Sequence, residues 1–121
     1  MKHNRLALLL ALIAGVLIAL ADAPFKTGSK TVADVDVPEA IGTNATTRFK
    51  TWVFFGMKSS RTNNTGTVYI QAVSTNDSSG YKLTTGGVVT FEDDRGRGWT
   101  EADWHLDVVT ADDGVVWLAI P

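Results

Sequence analysis

The chain has no cysteine, two histidines and three prolines in 121 residues. Without cysteine there is no disulfide scaffold, no thiolate metal site and no thiol nucleophile. Basic excess is also missing. Eleven Lys and Arg stand against thirteen Asp and Glu, for a net charge of −2. A broad electrostatic grip on nucleic acid is therefore not expected. The length supports one small domain and excludes two. Leucine is nearly absent from residues 22–121, which hold three copies, whereas residues 1–21 hold seven.

That asymmetry divides the chain. Lys2 and Arg5 give a positive start, and Leu6 to Ala21 carries no charged or polar side chain. As a helix these sixteen residues would span roughly 24 Å, short of a hydrocarbon core of ~30 Å. A basic start, a short apolar run and small residues after it describe a secretory signal peptide. Ala19-Leu20-Ala21 fits a cleavage site that leaves Asp22 as the mature start. A retained membrane anchor and an apolar helix buried in an assembly are the competing readings.

Residues 22–121 contain fifteen Thr, twelve Val and all eleven Phe, Trp and Tyr. β-Branched and aromatic residues suit a pleated, half-buried surface, and long helices would want more Leu, Ala, Glu and Lys. Residues 22–46, with Pro24 and Pro38, read as an extended arm or linker. Within it, Thr31 to Val37 is a candidate edge strand guarded by Asp34 and Asp36. From Thr47 onward the apolar period is 2. Phe49, Thr51, Val53 and Phe55 are expected on one face and Trp52 and Phe54 on the other, with both faces partly covered. Val68, Ile70 and Ala72 follow, then Tyr81 to Leu83, Val88 to Glu92, Ala102 to Thr110 and Val115 to Ile120. Asp112-Asp113-Gly114 is a hairpin signal. Six or seven short strands broken by turns every 8–12 residues predict an antiparallel β-sandwich or jelly-roll-like domain over 47–121. An N-terminal apolar helix precedes it.

Chemistry-bearing residues are few. His105 is the only histidine outside the leader, and no G-x-S-x-G is present, so no catalytic residue is expected. Glu92-Asp93-Asp94 and Asp112-Asp113 are oxygen-rich, but the EF-hand pattern is absent and Asp is an ordinary turn former. Neither a metal nor a cofactor is expected. Asn44-Ala45-Thr46, Asn63-Asn64-Thr65 and Asn76-Asp77-Ser78 match the glycosylation acceptor and read as turn chemistry. Interface candidates are Trp52, Trp104 and Trp117, each on a strand and placed in a core or a subunit interface. Trp99, with Arg95 and Arg97 in the Gly-rich loop before it, is the candidate exposed aromatic.

The segment Phe49 to Gly56, Arg61-Thr62-Asn63-Asn64-Thr65-Gly66-Thr67-Val68-Tyr69-Ile70, the Gly-Gly step before Val88, and Ala102-Asp103-Trp104-His105-Leu106-Asp107-Val108 leading to Thr110-Ala111-Asp112-Asp113-Gly114-Val115-Val116 occur in that order. This set resembles small β-rich virion structural proteins of tailed phages and prophages, of the capsid decoration or tail-associated type. The resemblance covers residues 47–121. It implies a β-sandwich or jelly-roll-like fold, a role in assembly, other virion proteins as partners and no catalytic residues. The leader departs from the pattern of a cytoplasmic assembly protein. It leaves open a membrane contact through Leu6 to Ala21, and a location in a virion or as an exported or membrane-anchored protein. A homo-oligomer is expected, because a hundred-residue domain has few residues to spare for a core. The alternative is an exported envelope module that binds glycan or cell surface.

Overall fold

The computed structural model describes residues 25–72, 80–94 and 96–121. The leader and its expected helix lie outside the described residues. Eight strands run in the order β1 (Lys26–Val32), β2 (Glu39–Ala40), β3 (Thr51–Phe55), β4 (Val68–Gln71), β5 (Tyr81–Leu83), β6 (Val88–Glu92), β7 (His105–Val108) and β8 (Asp113–Ile120). A single 3-10 turn, Glu101–Asp103, precedes β7. The strands form two four-stranded sheets with orders β1-β8-β3-β6 and β2-β7-β4-β5. Every pairing is antiparallel.

Side-chain alternation selects the inner faces. In β8, Val115, Trp117 and Ala119 are buried, and in β3 so are Trp52 and Phe54. The register aligns Trp52 with Ala119 and Phe54 with Trp117. From the other sheet come Val68, Ile70, Leu83, Leu106 and Val108, all buried in the same cluster. Trp104, which enters β7, completes it. Trp52 lies at the centre, with ring centroids 5.3 Å from Trp117, 6.1 Å from Trp104 and 6.0 Å from Phe54. The two sheets therefore meet through aromatic rings, which supply large buried area with directional ring contacts.

The described part of segment 22–46 differs from the arm expected there. Seven residues of it pair with β8, Glu39 and Ala40 pair with β7, and Val32 and Ile41 are buried in the core. The edge strand is Lys26–Val32 and ends before Asp34 and Asp36, which lie in the following turn with Asp36 at φ 60. Gly28 makes the pairing possible. The Trp117 ring lies over it, and an added Cβ would collide with Cζ2 of that ring.

Phe49 also departs from its expected face. It is buried, as Trp52 and Phe54 are. The reason is a change of phase at Lys50. Its N–H donates to Ile120 O on β8, while its carbonyl accepts from Asp93 N beside β6. A regular strand residue directs both groups to one neighbour. Phe49 instead pairs with Trp99 through two backbone bonds of 3.0 Å.

Candidate interaction surface

The residues singled out from sequence divide sharply by depth. Trp52, Trp104 and Trp117 are at most 3% exposed. Their area is covered within this chain, in the core, which is one of the two positions expected for them. Trp99 is half-buried and packed against the core, with its ring 5.0 Å from Trp104. Arg97 is exposed, and Arg95 lies outside the described residues. The loop that carries them is fixed by Asp93, whose carboxylate accepts from Gly96 N at 2.7 Å and Gly98 N at 3.2 Å. Gly98 takes φ +76 with its Cα against Phe49, and Arg48 Nη1 donates to its carbonyl at 3.2 Å. Trp99→Ala is expected to cost about 2–4 kcal/mol, seen as a lowered Tm. An unchanged Tm would place the ring outside the core.

The acidic pairs are likewise occupied by the backbone. Asp113 is fully buried and accepts from Thr65 N at 2.8 Å and Gly66 N at 2.7 Å. It opens β8 after a turn with Asp112 at φ 68, and because β7 and β8 lie in different sheets this turn links the sheets instead of closing the expected hairpin. Asn44 Oδ1 accepts from Thr46 N and Thr47 N, both at 2.9 Å. His105 is half-buried, with Nδ1 3.1 Å from the Asp103 carbonyl. No group of three metal-ligating side chains occurs among the described residues.

What sequence reading passed over is the outer face of the β1-β8-β3-β6 sheet. Val116, Leu118 and Ile120 of β8 alternate away from the core, and their partners Phe55, Val53 and Thr51 lie beside them. Val88 adjoins Phe55 from β6. Val88 is 56% exposed and Ile120 39%, Val53, Phe55 and Leu118 are half-buried, and Val116 is buried. Thr27, Ser29 and Thr31 of β1 border this stripe on one side, with Thr90 and Glu92 of β6 on the other. An apolar patch rimmed by hydroxyls and one charge has the form of a contact surface. The opposite sheet turns Tyr69, Lys82 and His105 away from the core, beside a buried Asp107, so its outer side is polar. The missed signal was present in β3 and β8, where both phases of the alternation are apolar.

The four sheet edges differ as well. At β1, Lys26 and Lys30 share the inner face with Gly28 and Val32, yet both reach acids across the gap between sheets. Lys26 Nζ lies 2.9 Å from Glu101 Oε1, and Lys30 Nζ lies 3.6 Å from Glu39 Oε1. Inward-pointing charges on an edge strand discourage pairing with another chain. Edges β2 and β5 are two and three residues long. The five residues of β6 include no Pro and no Lys.

No family model, no curated protein and no solved structure matches this chain.

Proposed function

We propose that the chain is a non-enzymatic structural protein, built on a jelly roll, that packs into a larger particle. The reading includes a phage virion as that particle and a decoration or minor structural role within it. The strand order supports the jelly roll: one sheet runs β1-β8-β3-β6 and the other β2-β7-β4-β5, as in an eight-stranded double-sheet roll, an architecture used by viral capsid and lectin domains. Fold alone does not decide between such uses.

The observation that carries the assembly reading is the apolar outer face, on which Val88 and Ile120 are exposed and Val53, Phe55 and Leu118 half-buried. Aliphatic groups on that face, and not the tryptophans, would supply the burial between subunits. The glycan reading is less supported, because Trp99, its stacking candidate, is engaged with Trp104. The leader would provide export or a membrane contact. Mass spectrometry of density-gradient particles, prepared after prophage induction in the source cells, tests the reading. Many copies per particle are expected. Recovery in the envelope fraction alone would overturn the virion assignment and favour the envelope module.

A further inference from the structure

We infer that the free edge of β6 pairs with the β6 of a second copy of this chain, antiparallel, about a two-fold axis at Thr90. The inference rests on the assembly reading above and names its partner. It begins with the backbone. Bonds bracket the β3–β6 ladder at Gly56 N to Gly87 O, 2.8 Å, and at Asp93 N to Lys50 O, 2.9 Å. Antiparallel strands alternate residues that bond to one neighbour with residues that face the other way. Val89 and Phe91 therefore bond to β3, and Val88, Thr90 and Glu92 direct their N–H and C=O outward. Among the described residues, no group bonds to these three at that edge.

A row of outward backbone groups is a template for strand addition. The other three edges are short or guarded by ion-paired lysines, whereas β6 is five residues of Val, Val, Thr, Phe and Glu. Its sequence also fits itself. Centred on Thr90, all five residues overlap, and Glu92 falls beside the partner's Val88. The acidic end Glu92-Asp93-Asp94 then lies along the uncharged Thr84-Thr85-Gly86-Gly87 end of the other copy. Parallel pairing would set Glu92 and Asp94 against the same acids and is disfavoured by like charge. The product is a continuous eight-stranded sheet in which Val88, Thr90 and Glu92 of both copies lie between the two apolar outer faces. An edge pair of this length falls below the ~1,200 Å² of a standard stable interface, so the contact is weak alone and suits an array.

The cysteine-free chain offers a direct test. Thr90→Cys and Val88→Cys are made separately in the full chain, and disulfide-linked dimer is followed under mild oxidation. Across the axis the two positions 90 approach to about 5.5 Å between Cα atoms, within disulfide reach of 4.4–6.8 Å. The two positions 88 are separated by four residues of strand, about 13 Å. Thr90→Cys is expected to link at least about tenfold faster than Val88→Cys. Both residues are exposed, and an unchanged Tm verifies that each variant is folded. Equal rates, faster linking at 88, or no linking at 90 in the folded protein overturn the inference. Sedimentation of the unmodified chain separates the two levels. An oligomer without linkage at 90 removes the β6 contact and leaves the assembly reading, while a monomer at every concentration removes both.

Discussion

Trp52→Ala is expected to be the most damaging single substitution in the aromatic core, at about 3–5 kcal/mol. The ring is 0% exposed and contacts Phe49, Phe54, Trp104 and Trp117, which come from both sheets. Its Nε1 donates to Phe49 O at 3.1 Å, tying the ring to the segment that pairs with Trp99. Truncation removes the transfer energy of the indole and leaves a cavity that several rings cannot all collapse into. It also removes one of the two hydrogen bonds at the Phe49 carbonyl, leaving the bond from Trp99 N. A domain of this size has roughly 5–15 kcal/mol in total, so the Tm should fall on the order of 15–30 °C. Trp104→Phe is the informative contrast. Trp104 Nε1 is buried without an acceptor among the described residues, so phenylalanine removes an unsatisfied donor along with some area. Its expected cost is below about 2 kcal/mol. Thermal and urea unfolding of both variants check the order, and a Trp104→Phe loss equal to that of Trp52→Ala would refute it.

The period-2 pattern made most strands legible, because one buried face leaves a strong mark when turns are polar. Val115, Trp117 and Ala119 against Val116, Leu118 and Ile120 is such a mark, and so is Trp104-Leu106-Val108. Three features left weaker marks. β1 alternates Lys26, Gly28, Lys30 and Val32 on its inner face, which reads as a polar linker. Lysine stems and a glycine under Trp117 do the packing there, and both depend on partners distant in sequence. Phe49 followed the local period until Lys50 changed the phase, an event set by two neighbouring strands. The third is the contact surface itself. Large rings often anchor interfaces, which makes the four tryptophans candidates on sequence alone. In a domain this small they are needed in the core, and the second apolar phase of β3 and β8 is what remains for a neighbour.

Asp113→Ala is expected to cost about 2–4 kcal/mol. Its carboxylate holds the backbone N–H groups of Thr65 and Gly66 and lies 3.9 Å from Lys58 Nζ. Beside it, the Asn64 amide acts as an extra strand residue. Nδ2 donates to Gly114 O at 2.7 Å, and Gly114 N donates to Oδ1 at 3.0 Å. Gly114 has to be glycine, since a Cβ there would meet the Lys30 carbonyl. The two side chains together latch the loop after β3 onto the start of β8. The same loop reaches β1 through Ser59 and Thr31, 2.6 Å apart, and reaches the start of β6 through Asn64 N to Gly56 O and Gly86 N to Gly56 O. Losing either side chain leaves polar backbone groups with poor alternatives; losing both releases one loop. Asn64→Ala and Asp113→Ala should therefore be strongly non-additive, with the double variant less destabilised than the sum of the singles by about 1–2 kcal/mol. Urea unfolding of the four-member cycle measures this coupling. A coupling energy near zero would mean that two independent contacts, not one latch, fix the loop after β3.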